Sequence, residues 1–132
     1  MYVLNGWLTL WQDTTGDGEF DALVEAVGEI RAMFDSVAPF TVNWSLEPVN
    51  GTYYLRITVD ANRRRDEAAD VERIIRKACV LLPGSWGVFY ERDDEAVEPP
   101  GSNAFRVWAV ARGEISYRED PFLSPCNPII ED

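Results

Sequence analysis

Along residues 2–11, Leu4, Gly6, Leu8 and Leu10 alternate with Val3, Asn5, Trp7, Thr9 and Trp11, the period of a strand with apolar groups on both faces. Both faces therefore need cover. After a turn-rich run from Asp13 to Gly18, the apolar residues Phe20, Leu23, Val27, Ile30, Phe34 and Val37 recur at steps of three and four. That spacing predicts one buried stripe of a helix ending before Pro39, with Asp17 as its N-cap. Two strands are predicted next, Phe40 to Leu46 and Tyr53 to Val59, with Phe40, Val42, Trp44 and Leu46 on one side of the first. Residues Glu47 to Gly51, which contain an Asn-Gly turn signal, join them as a hairpin. From Asp66 a second helix presents Val71, Ile74, Ile75, Ala78, Cys79 and Leu82 on one face and stops at Pro83-Gly84. Ser85 to Arg92 and Ala104 to Arg112 read as another strand pair across a polar loop, Asp93 to Asn103, which Pro99-Pro100 keeps from being helical.

The resulting order, βαββαββ, predicts an α+β protein with a ferredoxin-like split-βαβ antiparallel sheet and two helices on one face. Residues 1–132 are expected to form a single domain, with 114–132 as an extended acidic tail. Pro121, Pro125 and Pro128 make that tail a strap packed on the body, starting as a short edge strand at Ile115 to Tyr117.

Composition narrows what such a fold can do. Apolar residues make up 46% and five Trp are present, so the chain can build a packed core despite its charge. Twelve Lys and Arg against 23 Asp and Glu give a net charge of −11, a field that repels nucleic acid and draws in a cationic protein. Residues 1–12 have no cationic stretch ahead of the apolar run, and no run approaches the roughly 18 apolar residues of a membrane span. Neither export nor membrane insertion is expected, which places the chain in the cytoplasm. Cys79 and Cys126 are expected to be reduced thiols there. There is no His, which removes the Ser/His and Cys/His nucleophile pairs and His ligation of zinc. No catalytic group, cofactor or metal is expected.

The calcium-loop pattern shows why. Asp13, Asp17, Gly18 and Asp21 fall at ligand and turn positions of an EF-hand loop, but Thr15 and Val24 stand where further oxygen ligands belong. The segment reads as a turn. Acidic residues cluster in three places: Asp21, Glu25 and Glu29 along one helix face, Asp93, Asp94, Glu95 and Glu98 in the polar loop, and Glu119 with Asp120 in the tail. These nine are the candidate partner-binding residues, because like charges that repel one another are relieved by a cationic partner. Adjacent loop acids lack the two different, partly buried environments that acid–base catalysis needs. Arg63, Arg64, Arg65, Arg73, Arg76 and Lys77 crowd the second helix and are expected to be neutralised by Asp66, Glu67, Asp70 and Glu72. The tryptophans, Trp7, Trp11, Trp44, Trp86 and Trp108, are each expected in the core, although an uncovered aromatic sheet face would mark an interface or a homodimer contact.

Several segments together carry a family resemblance: Tyr2 to Trp7; Leu82-Pro83-Gly84-Ser85-Trp86-Gly87 with Tyr90-Glu91-Arg92-Asp93-Asp94; Phe105-Arg106-Val107-Trp108 through Gly113; and Glu119-Asp120-Pro121 through Cys126. The pattern resembles the immunity protein 7 family of bacterial polymorphic toxin systems and covers nearly the whole chain. It departs from that family at Asn62-Arg63, where an Asn-His pair is expected. The resemblance implies a non-enzymatic cytoplasmic protein that binds a cognate toxin domain and covers its active or substrate-binding surface. The acidic balance suits a basic, nuclease-type toxin. The alternatives are a ferredoxin-like module that holds a ligand or self-associates, and a carboxylate-dependent enzyme.

Overall fold

Alternation sets the architecture. In the computed structural model, which describes residues 1–13, 19–37, 39–98 and 104–121, the first strand, β1 (Tyr2–Leu10), buries Tyr2, Leu4, Leu8 and Leu10 on one face. The helix α1 (Phe20–Phe34) follows, then the strands β2 (Val42–Val49) and β3 (Thr52–Ala61), the helix α2 (Asp66–Leu81), and β4 (Trp86–Asp93), β5 (Arg106–Ala111) and β6 (Glu114–Glu119). All strands join one antiparallel sheet in the order β2-β3-β1-β4-β5-β6. β1 and β2 both run antiparallel to the β3 that separates them, so each of the first four strands has its place in a split-βαβ arrangement.

Both helices pack on the face that carries Leu4 and Leu8. α1 buries Ala26, Val27, Ile30 and Phe34, and the Phe34 ring stacks on Trp44 of β2 at 4.6 Å. α2 buries Ala68, Val71, Ile74, Ile75, Ala78 and Cys79. Each large aliphatic side chain so buried contributes about 1.5–3 kcal/mol, which outweighs the weak capping of both helices: neither has a side-chain cap hydrogen bond. Asp66 and Glu67 in the first turn of α2 complement its positive end.

Several expectations are corrected. The cap of α1 is Glu19, not Asp17, which lies outside the described residues. The hairpin loop shrinks from the expected five residues to Asn50-Gly51 alone, because both take positive φ (51° and 80°) and form the tight turn that matches strand twist. β2 thus runs through Glu47 and Pro48, the proline being tolerated on an edge strand. Phe40 precedes β2 and is 98% exposed rather than inward. The segment 114–119 is a full strand, not the start of a strap: Arg112-Gly113 repeats the same positive-φ turn (52° and 79°) and folds β6 back onto β5. The order is βαββαβββ; residues 122–132, the rest of the expected strap, lie outside the described residues.

Candidate functional site

The two faces of the sheet carry different chemistry. On the inner face, under α2, Glu91 of β4 is 4% exposed and accepts hydrogen bonds from the Tyr2 hydroxyl (2.5 Å), Arg106 Nε (2.7 Å) and Trp108 Nε1 (3.3 Å). Arg64 Nε stands 3.6 Å from the same carboxylate, and its guanidinium lies over the Tyr2 ring. Arg106 in turn covers the Tyr117 ring, while Tyr117 donates to Glu72 and accepts from Arg76. Burial, then the Glu91 charge, drives the Tyr2 hydroxyl far above its usual pKa; burial and the bond to Glu72 raise Tyr117. Every polar atom of Glu91 is engaged, so this network holds β1, β4, β5 and the start of α2 together. Sequence reading missed it, because a glutamate between Tyr90 and Arg92 gives no sign of being buried.

The outer face carries no helix among the described residues. Its cross-strand rows run Ser45, Arg56, Trp7, Val88, Ala109, Ser116 and, one step along, Asn43, Thr58, Asn5, Tyr90, Val107, Arg118. Trp7 and Trp86 keep 38% and 41% exposure here. Trp86 meets the edge of Trp11, and Tyr90 meets Phe105. The expectation of core tryptophans holds for Trp108 and, at its half-buried packing on Phe34, for Trp44; it fails for Trp7 and Trp86, whose pleat position turns them away from both helices. Trp7 stands as a ridge between two grooves. One, about 510 Å³, lies towards β3 and β2; the other, about 390 Å³, lies against Tyr90 and Phe105.

Glycines hold these strands close. A Cβ on Gly6 would stand 2.1 Å from the Val88 carbonyl and 2.7 Å from the Phe89 ring, and one on Gly87 would stand 2.0 Å from the Trp7 carbonyl. Ser85 bonds both the N–H and the C=O of Trp11, pinning the end of β1 to the start of β4.

The nine candidate acids are not brought together. Asp21, Glu25 and Glu29 are exposed on α1, which leaves the sheet at the C-terminal end of β1. Asp93, Asp94 and Glu95 lie at the opposite end, where Glu119 also falls in register across Arg106. Glu98 is exposed, and the Asp120 N–H donates to the Phe105 carbonyl. The loop acids already have partners: the Asp94 carboxylate is 2.6 Å from the Met1 amino group, whose hydrogen bond lowers its pKa, Asp93 accepts from the Glu95 N–H, and Glu95 pairs with Arg63. Arg63 therefore ties the segment before α2 to this loop. Of the expected helix neutralisation, Arg73–Asp70 and Arg76–Glu72 form. Cys79 is a free, buried thiol raised in pKa by that burial; Cys126 lies outside the described residues. So do Asp17 and Gly18 of the calcium-loop pattern, and no group of metal-binding side chains occurs among the described residues. No described helix is long and apolar enough to cross a membrane.

The protein is thus α+β, with a hydrogen-bonded inner face and an outer face that carries exposed aromatic side chains and no helix among the described residues. The chain belongs to the immunity protein 7 family, whose model matches residues 1–132, its whole length. No curated protein and no solved structure matches it.

Proposed function

We propose that this chain is a non-enzymatic immunity protein of the bacterial cytoplasm, which binds a cognate toxin domain and covers its active or substrate-binding surface. The full-length family match carries the reading. The net charge of −11 favours a basic toxin of the nuclease type and disfavours direct binding to nucleic acid. Asp21, Glu25, Glu29, Asp93, Asp94, Glu95, Glu98, Glu119 and Asp120 supply the long-range attraction, spread around the body; the outer sheet face supplies the contact. That division follows a general rule: a charged field speeds encounter, while buried aromatic groups hold the complex.

The test is co-expression with the toxin C-terminal domain encoded beside its gene. Growth arrest by the toxin alone, relieved when this chain is present, together with a stable complex of the two purified proteins, is the expected result. Unrelieved arrest with no complex would contradict it.

A further inference from the structure

Arg56 is out of place on simple electrostatic grounds. In a chain with nearly twice as many acids as bases, it has no ion-pair partner among the described residues, although it stands on the sheet's outer face midway along β3, between the edge strand β2 and β1. Its guanidinium is held over the Tyr54 ring, 5.9 Å from the centroid, and Ser45 and Trp7 flank it on the neighbouring strands. The groove of about 510 Å³ in which it sits is lined without a single carboxylate.

The other polar groups of the groove are also short of acceptors. Thr58 Oγ1 donates to Asn5 Oδ1 at 3.0 Å, which occupies the Asn5 oxygen and leaves its NH₂ group as a donor. Asn43 and Ser45 make no side-chain hydrogen bond among the described residues. An exposed guanidinium over a tyrosine ring, with amide and hydroxyl donors around it, matches a planar anion, as arginine does when it takes a carboxylate in a two-point grip. A polyanion would be kept away by the −11 field, whereas one carboxylate on a cationic body would be drawn in with that body.

We propose that this groove receives an Asp or Glu side chain of the toxin domain, and that Arg56 is its main anchor. Beyond the Trp7 ridge, the groove against Tyr90 and Phe105 takes an apolar side chain of the same partner. The proposal rests on the immunity reading and adds to it a contact of opposite sign to the general attraction.

That reversal of sign makes it testable. Affinity for the toxin domain is measured for the wild type, Arg56→Glu and Lys77→Glu, the last being the same charge change on an exposed helix position away from the groove. If attraction is only the acidic field, both substitutions tighten binding. If Arg56 grips a carboxylate, Arg56→Glu weakens binding about a hundredfold or more, as breaking a close interfacial charge pair does, while Lys77→Glu leaves it unchanged or tighter. An Asp or Glu of the toxin changed to Arg is expected to recover part of the Arg56→Glu loss. An unchanged or increased affinity of Arg56→Glu overturns the groove proposal alone. Absence of wild-type binding overturns the immunity reading and the groove proposal with it. Equal unfolding midpoints in urea are expected for the three proteins, because Arg56 is exposed and in no ion pair among the described residues; a lowered midpoint for Arg56→Glu would contradict a purely interfacial role.

Discussion

On β1, Leu4 and Leu8 are fully buried, while Trp7 between them in sequence keeps 38% of its surface exposed. The same contrast runs across the sheet. Inward, the row Trp44, Ile57, Gly6, Phe89, Trp108 lies on the face that the helices cover; outward, the row Ser45, Arg56, Trp7, Val88, Ala109, Ser116 has no helix on it among the described residues. Both rows contain aromatics and both contain polar groups, so residue type does not separate them. What separates them is satisfaction. On the inner face both carboxylate oxygens of Glu91, the Tyr2 hydroxyl and the Trp108 N–H are bonded inside the chain; on the outer face Arg56, Asn43 and Ser45 make no side-chain hydrogen bond among the described residues. A face whose hydrogen bonds close on themselves stabilises the fold, and one whose donors stay open is suited to a second molecule.

The largest effects should come from breaking the inner face. Gly6→Val must push a side chain into the Val88 backbone and the Phe89 ring, where only strand separation gives relief, and should cost about 3 kcal/mol or more in urea unfolding. Glu91→Ala leaves the Tyr2 hydroxyl and the Trp108 N–H without their acceptor and should cost about 3 kcal/mol, somewhat less than a fully enclosed pair because Arg106 and Arg64 reach solvent. A loss below about 1 kcal/mol for both would mean that the inner face is looser than its geometry implies.

A smaller effect concerns alkaline pH. Tyr2 and Cys79 are both held protonated by burial, with folded pKa values above their unfolded ones. Their contributions are complete below the unfolded values, about 8.5 for the thiol and 10 for the phenol, and are lost as pH rises beyond them towards the folded values. Unfolding free energy should therefore fall from about pH 9 upwards. Tyr2→Phe should lower stability at neutral pH by about 1–1.5 kcal/mol through the lost bond to Glu91, yet show a shallower decline between pH 9 and 11. A decline as steep as that of the wild type would remove Tyr2 as a source of it.

Much of this was legible from pattern alone. Period-three-and-four spacing located both helices, Pro83-Gly84 marked the end of α2, and strand alternation gave the first five strands. The sixth was visible only as Ile115 to Tyr117, since four of its six residues are polar or charged and its pairing depends on a turn at Arg112, a residue seldom found at positive φ. The site was less legible. Alternation in β1 separated Leu4 from Trp7, but which set met the helices depended on tertiary placement, so Trp7 and Trp86 were expected inside. The burial of Glu91 and the unpaired state of Arg56 both depend on strands that are adjacent in the sheet but up to three strands apart in sequence order, and no local spacing encodes either. The acids were easy to see because they are numerous; Arg56 stands out in the structure because it forms no ion pair with any of them among the described residues.

If the outer face is spare for folding and needed for binding, Trp7→Ala separates the two. Urea unfolding and titration with the toxin domain, measured on the same preparations, should show a stability loss of about 1–2 kcal/mol, as for a partly exposed ridge, with affinity reduced about a hundredfold, as for a central aromatic contact. Wild-type affinity in the Trp7→Ala protein would contradict the assignment of this face to the partner.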